Sequence, residues 1–167
     1  QYSSGFSFVK PENLDAVIIG AGSIGCFASR EKIKIMIEQF QGIPCVLISY
    51  QLEGYPYVQY DNASGIREGM DYLIGKMGCR HIGMLGGSLD NTDAQERKNA
   101  YMAALEEHGI SFEEKAYAEG NFTRSCSEAM KQLLDDNPEL DAVFCVNDDT
   151  AIGLYEELNR RQKIIGR

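Results

Sequence analysis

Leu140-Asp-Ala-Val-Phe-Cys-Val-Asn-Asp-Asp-Thr-Ala-Ile-Gly-Leu-Tyr155 decides how this chain is to be read. Ala142 to Val146 is an unbroken apolar run, the pattern of a strand buried on both faces. Asn147, Asp148 and Asp149 follow, short polar residues of the kind that cap a helix by accepting its first backbone N–H groups. Ala151, Leu154, Tyr155 and Leu158 then fall on one face of a helix. A strand that passes through a polar loop straight into a helix is half of a βαβ unit. Sheets built from such units bind ligands at the carboxyl ends of their strands.

The same unit repeats upstream. Ala16-Val-Ile-Ile19, Cys45-Val-Leu-Ile48 and His81-Ile-Gly-Met-Leu85 are further strand-like runs. Helical periodicity lies between them, at Ile33, Ile37 and Phe40, at Ile66, Met70, Ile74 and Met77, at Tyr101, Ala104 and Leu105, and at Met130 and Leu133. Gly42-Ile-Pro44, Gly78, His108-Gly109 and Asn137-Pro138 stand where a helix should stop. The order predicts an α/β fold of doubly wound parallel sheets with right-handed crossovers. The 167 residues, 44% hydrophobic, suffice for two small lobes sharing a hinge, 1–78 and 79–167, divided near Gly78.

Composition excludes several classes. With 16 Lys and Arg against 25 Asp and Glu, the net charge of −9 repels a phosphate backbone, so this piece does not bind nucleic acid directly. The cysteines, Cys26, Cys45, Cys79, Cys126 and Cys145, are odd in number and form no C-x-x-C pair, which fits buried thiols better than disulfides. No apolar run reaches the ~20 residues of a membrane helix, and Gln1-Tyr-Ser-Ser-Gly5 lacks the order of a signal peptide. A reducing cytoplasm is the expected location; an exported protein trimmed of its signal is the alternative. His81 and His108 sit at a strand start and a helix end, Asp148-Asp149 lacks calcium-loop spacing, and neither G-x-S-x-G nor H-E-x-x-H occurs. No catalytic residue, metal site or cofactor is expected.

One motif argues otherwise. Val17-Ile-Ile-Gly20-Ala-Gly22-Ser-Ile-Gly25 is a G-x-G-x-x-G after a strand, with a second strand about twenty residues on, as in a site for NAD or a flavin. The second strand ends Leu47-Ile48-Ser49-Tyr50, without the carboxylate that would hold the ribose, and helical periodicity begins near Ile33. The competing reading is a glycine-rich loop, with Ser29 capping a helix that starts Arg30-Glu31-Lys32.

The later segments resemble the effector-binding core of the lac repressor family. Val58-Gln-Tyr-Asp61-Asn62-Ala-Ser-Gly65 followed by Gly78-Cys-Arg80-His81-Ile82-Gly83 is similar to that family's V-x-x-D-N-x-x-G and G-H-R-x-I. Gly86-Gly87, Glu96-Arg97 and Tyr101-Met-Ala-Ala-Leu105 resemble its G, then E-R-x-x-G-Y-x-x-A-L. Gly120-Asn121-Phe122 resembles G-D-F, and Asp141-Ala-Val-Phe144 with Asn147-Asp148 and Ala151-Ile-Gly153 resembles D-A-I-F-x-x-N-D-x-x-A-x-G. This chain departs from the pattern at Ser49, often acidic in relatives, at Ala100 and at Asn121.

The resemblance implies a type I periplasmic-binding-protein-like fold, here incomplete at both ends and without the helix-turn-helix headpiece. It implies a non-enzymatic sensor of a small polar effector, sugar or nucleoside-like, bound between the lobes. Operator DNA would be reached only through the missing headpiece, by a homodimer. A sensor of the same fold coupled to a signalling enzyme such as a diguanylate cyclase is the alternative. Family position places Arg97, Asn91, Asp93, Asn147, Asp148, Phe122 and Ser49 at the ligand. Arg97 offers a planar fork of donors, or else a helix salt bridge to Asp93 or Glu96. Asn91 and Asp93 can meet ligand hydroxyls or cap a helix; of Asn147, Asp148 and Asp149, one caps and another reaches the ligand. Phe122 is either a flat apolar wall or ordinary packing.

Overall fold

In a computed structural model, residues 9–125 and 127–166 are described. Cys126 and the start at Gln1, on which the thiol and leader readings partly rested, lie outside them. Residues 9–60 with 90–93 form one compact unit, and residues 61–89 with 94–166 form another.

In the first unit, strands β1 (Val17–Ile19), β2 (Cys45–Ile48) and β3 (Tyr57–Val58) make a parallel sheet in that order. A one-turn helix α1 (Ala21–Ile24) follows β1, and α2 (Arg30–Glu38) returns the chain to β2. Ile33, Met36 and Ile37 of α2 pack on Ile19, Cys45 and Leu47, the face their helical spacing predicts. Ser29 occupies the cap position, yet its side chain makes no capping hydrogen bond. The expectation that every strand is buried on both faces fails here. Ile18, on the sheet face opposite α2, is 77% exposed, and Val58 is exposed too.

In the second unit, β4 (Ile82–Gly86) lies between β5 (Tyr117–Glu119) and β6 (Ala142–Cys145), all parallel. Helices α3 (Asn62–Asp71), α4 (Thr92–Glu107), α5 (Ser127–Asp136) and α6 (Asp148–Arg160) wrap this sheet on both sides. Ile82 and Met84 pack with Ile66, Met70, Tyr101 and Leu105 from α3 and α4. Leu85, pointing the other way, packs with Met130, Leu133 and Leu154 from α5 and α6. Every residue of β4 is buried, and alternate side chains feed two separate layers, so the doubly wound arrangement holds here.

Gly78 and Gly109 end helical segments with φ of 77° and 70°, left-handed backbone that glycine adopts without strain. Behind Gly109 the Ile110 amide donates to the Leu105 carbonyl at 2.9 Å, closing the end of α4. The division near Gly78 is corrected. The units part between Tyr60 and Asp61, because Ile66, Met70 and Ile74 are buried on the second sheet. Cys26, Cys45, Cys79 and Cys145 carry no disulfide.

Candidate functional site

The carboxyl ends of β4 and β6 gather several of the predicted residues. Asn147 is the N-cap of α6: its Oδ1 accepts the Thr150 amide at 2.9 Å and also the Thr150 hydroxyl. Its Nδ2 donates to the Phe122 carbonyl at 3.2 Å. Asn121 and Phe122 both adopt left-handed backbone, with φ of 49° and 59°, which costs about 1–3 kcal/mol per non-glycine residue unless the surroundings hold it. The Asn147 amide is one such hold, so capping and loop placement meet in one side chain. Phe122 itself is 8% exposed. Its ring covers Gly87 so closely that a Cβ there would lie 2.2 Å from Cζ. Phe122 thus packs on the loop that follows β4.

Asn147→Ala removes both functions. It is expected to cost about 1–2 kcal/mol, the worth of a good cap. Urea unfolding measures the loss, and faster proteolysis between residues 120 and 125 would report release of the Phe122 turn. A variant as stable and as protected as the parent would contradict the double role.

Arg97, on the first turns of α4, makes neither of the salt bridges weighed for it in the sequence. Its Nε donates to Asn62 Oδ1 at 2.9 Å and its Nη1 to the Val146 carbonyl at 2.6 Å. Both acceptors are neutral. Asn62 also donates through Nδ2 to Glu96 Oε2 at 3.0 Å. The guanidinium thereby ties the start of α3 to the end of β6. Arg97, Asn62, Asn147 and the exposed Asp148 line an open cavity of about 910 Å³ whose remaining wall is largely apolar, along β6 and α6. Asp149 faces Arg124 at 2.8 Å. Beside Gly87, the Tyr117 hydroxyl donates to the Gly87 carbonyl at 3.4 Å. Burial, aided by Glu119 and Glu114, pushes Tyr117 up to about 12, so it stays a protonated donor at physiological pH.

Ser49, Asn91 and Asp93 belong to the first unit. Ser49 follows β2 in left-handed backbone (φ 54°); it is buried, and its Oγ meets no partner. Its backbone packs on the glycine motif, where a Cβ on Gly22 would lie 2.5 Å from the Ser49 carbonyl oxygen. Asn91 is buried too, donates to the Gly22 carbonyl at 3.3 Å, and fills the space beside Gly25. Gly22 and Gly25 are thus packed by the protein's own chain, while Gly20 faces open space. Asp93 accepts from Gln59 at 3.5 Å, and Gln59 accepts from Gln51 at 2.8 Å, giving the unit a polar cluster past the ends of β2 and β3.

Asn62 and Gln59 were not singled out from the sequence as site residues. Asn62 follows Asp61, which caps α3 by accepting the Ser64 amide at 3.0 Å. Their place within V-x-x-D-N-x-x-G was the available signal. Among the described residues no group of three His, Cys, Asp or Glu side chains is placed to hold a metal ion, and no helix is long and apolar enough to cross a membrane.

Comparison with known proteins converges on one family. Residues 2–167 match the model for periplasmic binding proteins and the sugar binding domain of the LacI family. Over 85 residues the chain is 38% identical to the HTH-type transcriptional regulator AscG of Escherichia coli, covering 50% of this chain and 25% of that protein. The structure of the transcriptional regulator CelR–cellobiose complex superposes with a TM-score of 0.77 at 28% identity, covering 92% of this chain and 46% of the other. The fructose-binding periplasmic domain of a hybrid two-component system gives a TM-score of 0.74 at 28% identity, with 91% and 51% covered. The chain therefore spans about half or less of the length of these relatives.

Proposed function

The chain belongs to the family of periplasmic binding proteins and LacI-family sugar-binding domains, and from that premise we propose that it senses a small polar effector for a LacI-type transcription regulator. The effector is sugar- or nucleoside-like and is taken up beside the polar groups at the carboxyl ends of β4 and β6. The observation that carries this reading is Arg97, a guanidinium at the end of β6 whose two acceptors are both neutral. Its charge is left for a ligand hydroxyl, ring oxygen or carboxylate.

The domain is non-enzymatic, cytoplasmic and dimeric in this reading. Effector binding shifts an equilibrium between conformers, and a helix-turn-helix headpiece outside this stretch converts the shift into operator affinity. The charge of −9 keeps the sensing domain itself off DNA. A second reading, favoured by the likeness to the fructose-binding domain, places the same sensor on a signalling enzyme. A dinucleotide enzyme has less support, since Ser49 and Asn91 pack on Gly22 and Gly25 of the glycine motif.

Thermal unfolding of the full chain against cellobiose, fructose, other sugars and nucleosides tests the proposal, with NAD, NADP and FAD as the opposing arm. At a hundredfold excess over Kd a bound effector adds about 2.7 kcal/mol, a rise of several degrees. A rise with a dinucleotide, and none with any sugar or nucleoside, would overturn it.

A further inference from the structure

Glu96 and Arg97 are neighbours in sequence and opposite in charge, yet each bonds Asn62. We propose that Asn62 is a positioning residue that keeps Arg97 available to the effector by standing between it and Glu96. The inference rests on the effector-sensing role given above and adds the device that keeps the site open.

The chemistry of an amide makes Asn62 suited to this. Its Nδ2 donates to the Glu96 carboxylate at 3.0 Å and its Oδ1 accepts from Arg97 Nε at 2.9 Å. Rotated by half a turn, the amide would face donor to donor at Arg97 and acceptor to acceptor at Glu96, so its two neighbours select one orientation. Asn62 is 7% exposed, and a buried amide whose polar atoms are so engaged is not easily displaced by water. It opens α3, directly after the Asp61 cap, and α3 is anchored on the second sheet by Ile66 and Met70. The amide is therefore presented by a rigid element.

With Asn62 in place, the guanidinium points Nη1 at the Val146 carbonyl beside Asn147. Without it, the Glu96 carboxylate loses the Asn62 donor and the Arg97 guanidinium loses the Asn62 acceptor, and the two charges stand on either side of the vacated space. Their attraction in a half-buried setting then draws Arg97 into a charge-assisted ion pair, away from Val146 and from the ligand. The sequence-adjacent salt bridge is the alternative state that Asn62 suppresses.

The test is a two-residue cycle on the full chain: wild type, Asn62→Ala, Glu96→Gln and the double variant. The probe is whichever sugar or nucleoside of the thermal panel gives the largest wild-type shift. Asn62→Ala is expected to weaken its binding about tenfold or more, the factor set by ~1.4 kcal/mol. Glu96→Gln alone changes it by less than about threefold, because the glutamine carbonyl still accepts from Asn62. The double variant returns to within about threefold of wild type, since no carboxylate remains to capture Arg97. A merely structural Asn62 predicts no such recovery.

A second readout needs no effector. The Arg97 Nε–H resonance, assigned by its absence in Arg97→Lys, should move downfield in Asn62→Ala as its acceptor becomes an anion, and move back in the double variant. Should Asn62→Ala fail to fold, Asn62→Ser carries the same comparison. An unmoved resonance, unchanged affinity in Asn62→Ala, or a double variant as weak as the single one overturns the inference. A wild type that responds to none of the panel overturns the sensing role instead, and the resonance still decides on Asn62.

Discussion

Arg97→Lys is expected to leave the chain folded and to weaken effector binding about 100-fold, close to the loss of ~2.7 kcal/mol that removing hydrogen bonds from a charged donor produces. Lysine is the sharper substitution because the guanidinium has two duties. Nε and Nη1 tie Asn62 to the Val146 carbonyl. Alanine would strip donors from a buried amide oxygen and from a strand-end carbonyl, which adds ~1–3 kcal/mol of destabilisation and confuses the reading. Lysine keeps the charge and reaches one acceptor, but it cannot present the planar fork. Titration of the panel ligand, followed by heat or fluorescence, measures the effect, with urea unfolding as the control. Unchanged affinity at unchanged stability would remove Arg97 from the site.

The framework was legible in the sequence where apolar pattern alone determines structure. β4 reads as a continuous apolar run because both of its faces are covered, and all five of its residues are buried. β5 was not legible: Tyr117, Ala118 and Glu119 are three half-polar residues at a sheet edge, and such a strand has no periodicity to read. Nor does periodicity say which sheet a helix covers. Ile66, Met70 and Ile74 announce an apolar face, but only their packing on Ile82 and Met84 assigns α3 to the second unit.

The site was half legible for the same reason. Asn147 follows a strand and precedes a helix, and local order is enough to expect a cap there. The partners of Asn62 lie 34 and 35 positions away. Nothing local distinguishes a capping Asn from one that separates two charges. Phe122 shows the converse, since its role turns on Gly87, in a different loop.

The glycine motif gives the second large effect, and its three glycines divide it. Gly22→Ala is expected to destabilise the first unit by about 3 kcal/mol, the upper part of the range for overpacking. Its added Cβ would meet the Ser49 carbonyl oxygen at 2.5 Å and the Ser49 Cβ at 2.6 Å. Neither atom can rotate aside. Ser49 is held by its amide, which donates to the Val58 carbonyl at 2.8 Å, and it already sits in left-handed backbone. The end of β2 or the turn of α1 must therefore move. Gly20→Ala should be neutral within ~0.5 kcal/mol, because no atom stands within 4 Å of its Cβ and its φ of −72° suits any residue. Gly25→Ala should fall between them, since its Cβ meets the Asn91 amide nitrogen at 3.1 Å, on a side chain that can yield, and the Gly22 carbonyl oxygen at 3.2 Å, both looser than the contacts at Gly22. Adding Ser49→Gly to Gly22→Ala should recover part of the loss by removing one Cβ and the backbone strain, while the carbonyl clash remains. A pyrophosphate-binding loop predicts another order, in which each glycine matters for cofactor and none needs to matter for the empty fold. Urea midpoints at constant m-value measure the series, and equal loss at Gly20 and Gly22, or none at Gly22, would show that the motif is not a bend packed against Ser49.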